Sequence, residues 1–149
     1  MKVERNTVNK RIKMKSTKQK PLSKLKKELD SIFSKYIPVR NADKSGSVRC
    51  YTCGKRAHWK EMHCGHYISR VHSSTRWNEI NCQVQCPGCN LFKQGAADEF
   101  AIKLIKDYGE GILDVLNQIK HNGFKPDRDF YENSILNYKI KANALETKK

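Results

Sequence analysis

Apolar residues recur every three or four positions toward both ends of the chain and lose that rhythm in its middle. Leu22, Leu25, Leu29, Ile32, Phe33 and Tyr36 fall on one face of a helix. Pro21 suits the first turn, where no amide donor is needed, and Pro38 is expected to limit the end. Phe100, Leu104, Ile105 and Tyr108 mark a second helix from about residue 96 to Gly109. Ile112, Val115, Leu116 and Ile119 mark a third, reaching about His121, and after Gly123 and Pro126 a last amphipathic segment covers 130–145. Between the helices, short β-like runs at 48–51, 66–69 and 82–85 alternate with turn chemistry such as Asp43 to Gly46 and Cys53-Gly54. The expected fold class is therefore α+β: a small β region flanked by N- and C-terminal helices. The expected organisation is a polar tail at 1–21, a main domain at 22–122 and a helical extension at 123–149. A core with so little sheet would benefit from a staple.

Charge adds a partner to this picture. The 149 residues carry 30 Lys+Arg against 15 Asp+Glu, a formal net charge of +15. Through Lys27 there are eleven Lys/Arg against the single Glu4, so this segment alone holds +10 of the total. A like-charge run without hydrophobic period is expected to be disordered, yet it can tether a polyanion without reading sequence. Nucleic acid is the first candidate, because neutralising phosphates releases counterions. A membrane surface would want a basic helix with Trp, Phe and Leu on its other face, which the most basic segment lacks. No apolar stretch approaches the roughly 20 residues that span a bilayer, and the N-terminus has no apolar signal core. The expected compartment is a reducing cytoplasm, where clustered cysteines more often hold metal than form disulfides.

Cys50-Tyr-Thr-Cys53 and Cys86-Pro-Gly-Cys89 are two CxxC pairs separated by thirty-two residues. Each such turn offers two thiolates to adjacent corners of a tetrahedron, and two turns complete a closed, structural Zn²⁺ site. Cys64 and Cys82 stand outside this scheme and read as free thiols packed near a hairpin.

The insertion between the pairs carries the candidate chemistry. His66 opens a β-like run after Gly65, Asn81 stands five residues before Cys86, and Asn90 directly follows Cys89. This arrangement resembles that of His-Asn-Asn (HNH, or ββα-metal) nucleases. Phosphodiester hydrolysis needs a base for the attacking water, and a histidine near its ordinary pKa of about 6.5 suits neutral pH. His66 is the expected base. Asn90 offers an oxygen to a catalytic divalent metal, Mg²⁺ or Mn²⁺, that stabilises the departing oxygen. Asn81 is expected to brace the loop or orient the His66 ring. Nucleases that this chain resembles are expected to carry an Asp three residues before the His; His63 stands there instead, and as the second metal ligand its nitrogen would shift preference away from Mg²⁺. Arg70, Arg76 and Lys93 are near enough in sequence to contact DNA phosphate. His58 and His72 read as surface or packing residues, and His121 as a cation near a helix C-terminus.

The runs GHYISR, RWNEIN and QCPGCN, with KELDSIFSKYIPVRNAD upstream and DRDFYENSILNYK downstream, together resemble the NinG/Rap family of phage recombination nucleases. The resemblance implies a structure-specific endonuclease acting on branched DNA such as Holliday junctions and strand-invasion loops. It also implies action in the infected bacterial host cell, alongside other phage recombination proteins. A four-way junction has two-fold symmetry, so a homodimer with an interface on the helices after Ala96 would present two sites to opposing strands.

Two other readings fit the charge and the cysteines. A zinc module that binds DNA without cutting it explains both, but not why His66, Asn81 and Asn90 fall at these offsets from the knuckles. An RNA-binding zinc protein would display stacking aromatics; Trp59 and Trp77 could serve, and each suits hairpin packing equally well.

Overall fold

The computed structural model describes residues 18–148. Most of the basic segment 1–21 therefore lies outside the described residues.

Helix α1 (Leu22–Arg40) buries Leu25, Leu29, Phe33, Tyr36 and Ile37, while Leu22 stays largely exposed at its start. The helix does not stop at Pro38 but runs two residues further. The fixed φ of proline is compatible with helix, and burial and side-chain bonding at the helix end offset the lost amide bond. Pro38 and Val39 are fully buried, and the Arg40 guanidinium donates to the Cys82 carbonyl and to Gln83 Oε1, both at 2.9 Å.

Two small antiparallel hairpins come next. Strands β1 (Ser47–Arg49) and β2 (Arg56–His58) pair with Val48 opposite Ala57, and a 3₁₀ turn (Trp59–Glu61) leads on from them. Strands β3 (His63–His66) and β4 (Cys82–Gln85) pair with His66 opposite Cys82. The β3 strand ends where the sequence pattern expected one to begin. Beyond His66 the amides of Tyr67 and Ile68 turn to the Asn81 carbonyl and side chain instead of to a strand. The short helix α2 (Ser73–Arg76) lies in the long connection between β3 and β4, and a π-turn (Gly88–Phe92) comes after β4. Helices α3 (Ala97–Tyr108), α4 (Ile112–Lys120) and α5 (Arg128–Glu146) complete the chain, close to where the apolar stripes place them.

The core has three parts. The largest packs α1 against α5 through Phe33, Tyr36, Tyr131, Ile135 and Tyr138, closed by Trp77 and Cys82. The sequence boundary at 123 thus falls between α4 and α5, but α5 supplies one side of the core that α1 begins. A second cluster surrounds the CxxC pairs with Val39, Val48, Trp59, Met62 and Val84. The third joins α3 and α4 through Phe100, Leu104, Ile112 and Leu116, with Tyr67 and Ile68 packed against it.

Two acidic residues tie the long connection to the helices. Asp30 accepts a bidentate pair from Arg76, at 2.8 and 2.6 Å, and further bonds from Trp77 Nε1 at 3.0 Å and Arg70 at 3.2 Å. Glu79 accepts from the hydroxyls of Tyr36 and Tyr138 and from Lys141, each at 3.1 Å. Burial alone would raise both carboxyls. The arginines and Trp77 at Asp30, and Lys141 with the tyrosine hydroxyls at Glu79, hold both below the usual carboxylate range.

Candidate active site and zinc centre

The two CxxC turns come together because β1 leads into the first and β4 into the second. Tyr51 N–H donates to the Val84 carbonyl at 2.7 Å, linking the turns. The sulfurs of Cys50, Cys53, Cys86 and Cys89 all lie within 4.8 Å of one another. Cys53 and Cys86 Sγ are 3.7 Å apart, which is the edge of a tetrahedron whose Zn–S bonds are about 2.3 Å. The donor set fits Zn²⁺. Burial pushes the Cys50 thiol up, but amide donors from Cys53, Cys86 and Thr52 and the Thr52 hydroxyl outweigh it and bring the pKa to about 6. Burial and the neighbouring thiols push Cys89 up to about 12, so full ionisation of the set calls for a cation.

His66 lies at the end of β3, opposite Cys82, with its ring mostly buried. Its Nε2 is 2.9 Å from the Arg76 carbonyl. A carbonyl only accepts, so Nε2 carries the proton and the neutral ring keeps its lone pair on Nδ1. Burial, with the charges of Arg70 and Arg76, holds the pKa below the usual histidine value; the carbonyl and Asp30 oppose this without reversing it. The imidazole is thus neutral, and its tautomer is fixed by a backbone atom.

Asn81 is fully buried and spends its whole amide on the loop. Its Oδ1 accepts from Ile68 N–H at 2.8 Å, and its Nδ2 donates to the carbonyls of Ile68 and Thr75 at 3.0 Å. Of the two roles foreseen for Asn81, the structure places it in the loop brace. Asn90 sits inside the π-turn, with Nδ2 3.2 Å from His63 Nδ1. The turn stands apart from α3, because Gln94 and Ala96 adopt left-handed backbone around Gly95 and reverse the chain. That reversal lets Gly95 N–H bond the Cys89 carbonyl at 2.9 Å and Gly95 O accept from Gln85 Nε2 at 2.8 Å.

A surface cavity of about 360 Å³ joins these pieces, lined by Cys64, His66, Arg70, Asn90 and Gln94 among others. It brings one strand residue, one turn residue and one arginine together. Strand alternation turns His63 to the other side of β3 from His66, and Asn90 touches the first while lining the cavity with the second. The three basic residues separate. Arg76 is tied to Asp30 and to the Arg70 carbonyl, with little exposed surface. Arg70 holds Asp30 only from outside and is more than half exposed, and Lys93 is exposed at the end of the π-turn. Of the three, only Arg70 lines the cavity; Lys93 is exposed one residue before Gln94, which does. Leu91 and Phe92 are exposed beside Asn90, Phe92 at 86%, which the apolar pattern did not single out.

A family model described as bacteriophage lambda NinG protein matches residues 1–148. The chain belongs to the NinG family. No curated protein and no solved structure matches it. Among the described residues of this NinG family member, no helix is long and apolar enough to cross a membrane.

Sequence reasoning missed what Asp30 and Gln85 do for the NinG cavity. Asp30 fixes the Arg76 side chain whose carbonyl holds His66. Gln85, wholly buried, explains why the residue before His66 is glycine. A Cβ on Gly65 would strike the Gln85 side chain, meeting Oε1 first, with Cδ at 2.6 Å and Cγ at 2.8 Å. Gln85 cannot swing aside, because its Nε2 is bonded to Thr52 Oγ1 and to the Gly95 carbonyl. Gly65→Ala should therefore destabilise the protein by about 1–3 kcal/mol, the range for overpacking a filled interior. A urea melt with an unchanged midpoint would show that Gln85 yields freely.

Proposed function

We propose that this NinG family protein is a metal-dependent endonuclease of the ββα-metal type, cutting branched DNA formed in recombination. The observation that carries the reading is His66 in the cavity, its Nε2–H held by the Arg76 carbonyl and its Nδ1 left as the basic atom. In this reading Nδ1 takes a proton from water as the oxygen attacks phosphorus, and the P–O bond to the departing sugar oxygen breaks. A divalent cation, when bound, would stabilise the charge on the phosphate and the departing oxygen. In this reading His63 Nδ1 and the Asn90 amide would be its donors, Asn90 linking the cavity to the His63 side of β3; an amide turned over would present Oδ1. Among the described residues, no further His, Cys, Asp or Glu completes a three-ligand group with His63. Two neutral donors fit a cation that DNA phosphate helps to hold, and the imidazole nitrogen favours Mn²⁺ over Mg²⁺. Arg70 in the cavity and the exposed Lys93 next to Gln94 in sequence supply charge for the backbone.

Branched rather than linear DNA is favoured by Leu91 and Phe92. An intact duplex offers little to an exposed apolar pair, whereas unstacked bases at a branch would cover it. The expected result is that end-labelled four-way junction is cut with Mn²⁺ or Mg²⁺ while matched linear duplex is spared. Phe92→Ala should narrow that preference. Binding of both DNAs without cutting under either metal would instead leave a zinc-stapled binding module, the reading that the charge alone supports.

A further inference from the structure

We infer that Cys64, His66 and Cys82 form a second, three-ligand Zn²⁺ site. Because it shares His66 with the cavity, its filling removes the basic atom on which cleavage depends. The second half rests on the proposed nuclease reading; the first does not.

The hairpin builds the site by register. His66 stands directly opposite Cys82, and Cys64, two residues earlier on β3, points to the same face. One donor atom from each lies within 4.8 Å of the other two. Tetrahedral zinc with two sulfurs and one nitrogen needs separations of roughly 3.5–3.8 Å, so side-chain rotation alone can close the group. The two thiols and the imidazole are soft or borderline donors, which select zinc over the hard cations that suit phosphate chemistry.

The surroundings give the ion a way in and an open fourth position. Cys82 is fully buried against the α1–α5 core, whereas Cys64 is half-buried and lines the same cavity as His66. His66 Nε2 and Cys82 Sγ share one acceptor, the Arg76 carbonyl, at 2.9 and 3.4 Å. Nε2 and Cys82 Sγ thus meet at one oxygen, and Nε2 is the ring atom assigned to the ion. When Zn²⁺ binds there, both thiols release their protons to solvent and the ring exchanges its Nε2 proton for one on Nδ1 through solvent, so two protons leave in all. A neutral ring ligated through Nε2 carries its proton on Nδ1. The lone pair that would accept a proton from water is then occupied, and the Arg76 carbonyl loses both partners.

The test uses the full chain with its four-Cys site loaded, kept reduced by a phosphine and dialysed against dilute Zn²⁺. Wild type should bind two zinc ions per chain by metal analysis, and Cys64→Ser and Cys82→Ala one each. One ion in wild type overturns the site, as does a second ion retained by both variants. Two variants are used because Cys64 is half-buried and Cys82 fully buried, so a packing defect in one does not decide the outcome. In Mn²⁺-supported junction cleavage, added Zn²⁺ should slow wild type on the order of 10²-fold relative to its own zinc-free rate, as loss of a general base does. The variants should be slowed far less relative to theirs. Equal slowing of all three would refute the link to His66. If no protein cuts DNA, the nuclease reading fails while the zinc count still decides the site.

Discussion

Serine at Cys50 or at Cys89 should leave the purified protein without its structural zinc and its centre unfolded. The apolar packing there is small without the ligands. Strands β1 and β2 are three residues each, and the cluster around them owes three of its buried members, Cys50, Cys86 and Cys89, to the ligands themselves. A structural zinc in small domains contributes an apparent binding energy of about 10–16 kcal/mol, as much as the whole stability of an ordinary domain at about 5–15 kcal/mol. Hydrogen exchange should show the amides of β1, β2 and the π-turn unprotected in either variant, and a strong chelator should do the same to wild type. Protection in these elements equal to that of zinc-loaded wild type would rule out the staple.

Asp30→Asn should be strongly destabilising although it removes no core volume. It leaves Arg76, whose side chain is only 11% exposed, without its bidentate partner, and weakens the bond to Trp77. Breaking a buried pair from one side costs roughly 3–5 kcal/mol, and the lower part of that range applies because Asp30 keeps some contact with water. The pH dependence comes from the direction of its shift. Asp30 has a folded pKa below its unfolded value, so its contribution is present above about pH 4 and fades as pH falls through the folded pKa. Wild type and variant should therefore differ most near neutral pH and converge in acid. A constant gap in melting temperature across that window would mean the carboxylate charge is not what matters. The variant should also cut DNA more slowly, since the Arg76 carbonyl that positions His66 loses its anchor.

Some of this organisation was legible in the sequence because its physics is local. The CxxC turns are set within four residues, and the α1 stripe repeats within each helical turn, so both could be found without tertiary knowledge. Membership of the NinG family, too, was carried by short runs such as GHYISR and QCPGCN. Asp30 was not legible: its partners Arg76 and Trp77 lie 46 and 47 positions away, and a lone aspartate in a helix looks like any solvated one. Arg76 looked available to phosphate for the same reason. The continuation of α1 through Pro38 depends on what Arg40 finds on β4, again more than forty positions distant. Strand β2, Arg-Ala-His, has no apolar alternation to announce it, and its pairing is set by the turn before it. The π-turn around Asn90 reads locally as a helix start, and only the left-handed residues after it show that α3 begins separately.

Single-turnover cleavage of a four-way junction by wild type and His66→Ala, with zinc counted on the same samples, bears closest on the proposed nuclease. The variant should keep its four-Cys zinc and its junction binding while cleavage falls by about 10²–10⁴-fold, the contribution of a general base. Cleavage by His66→Ala at the wild-type rate, or none by either protein with Mn²⁺ or Mg²⁺, would overturn the assignment.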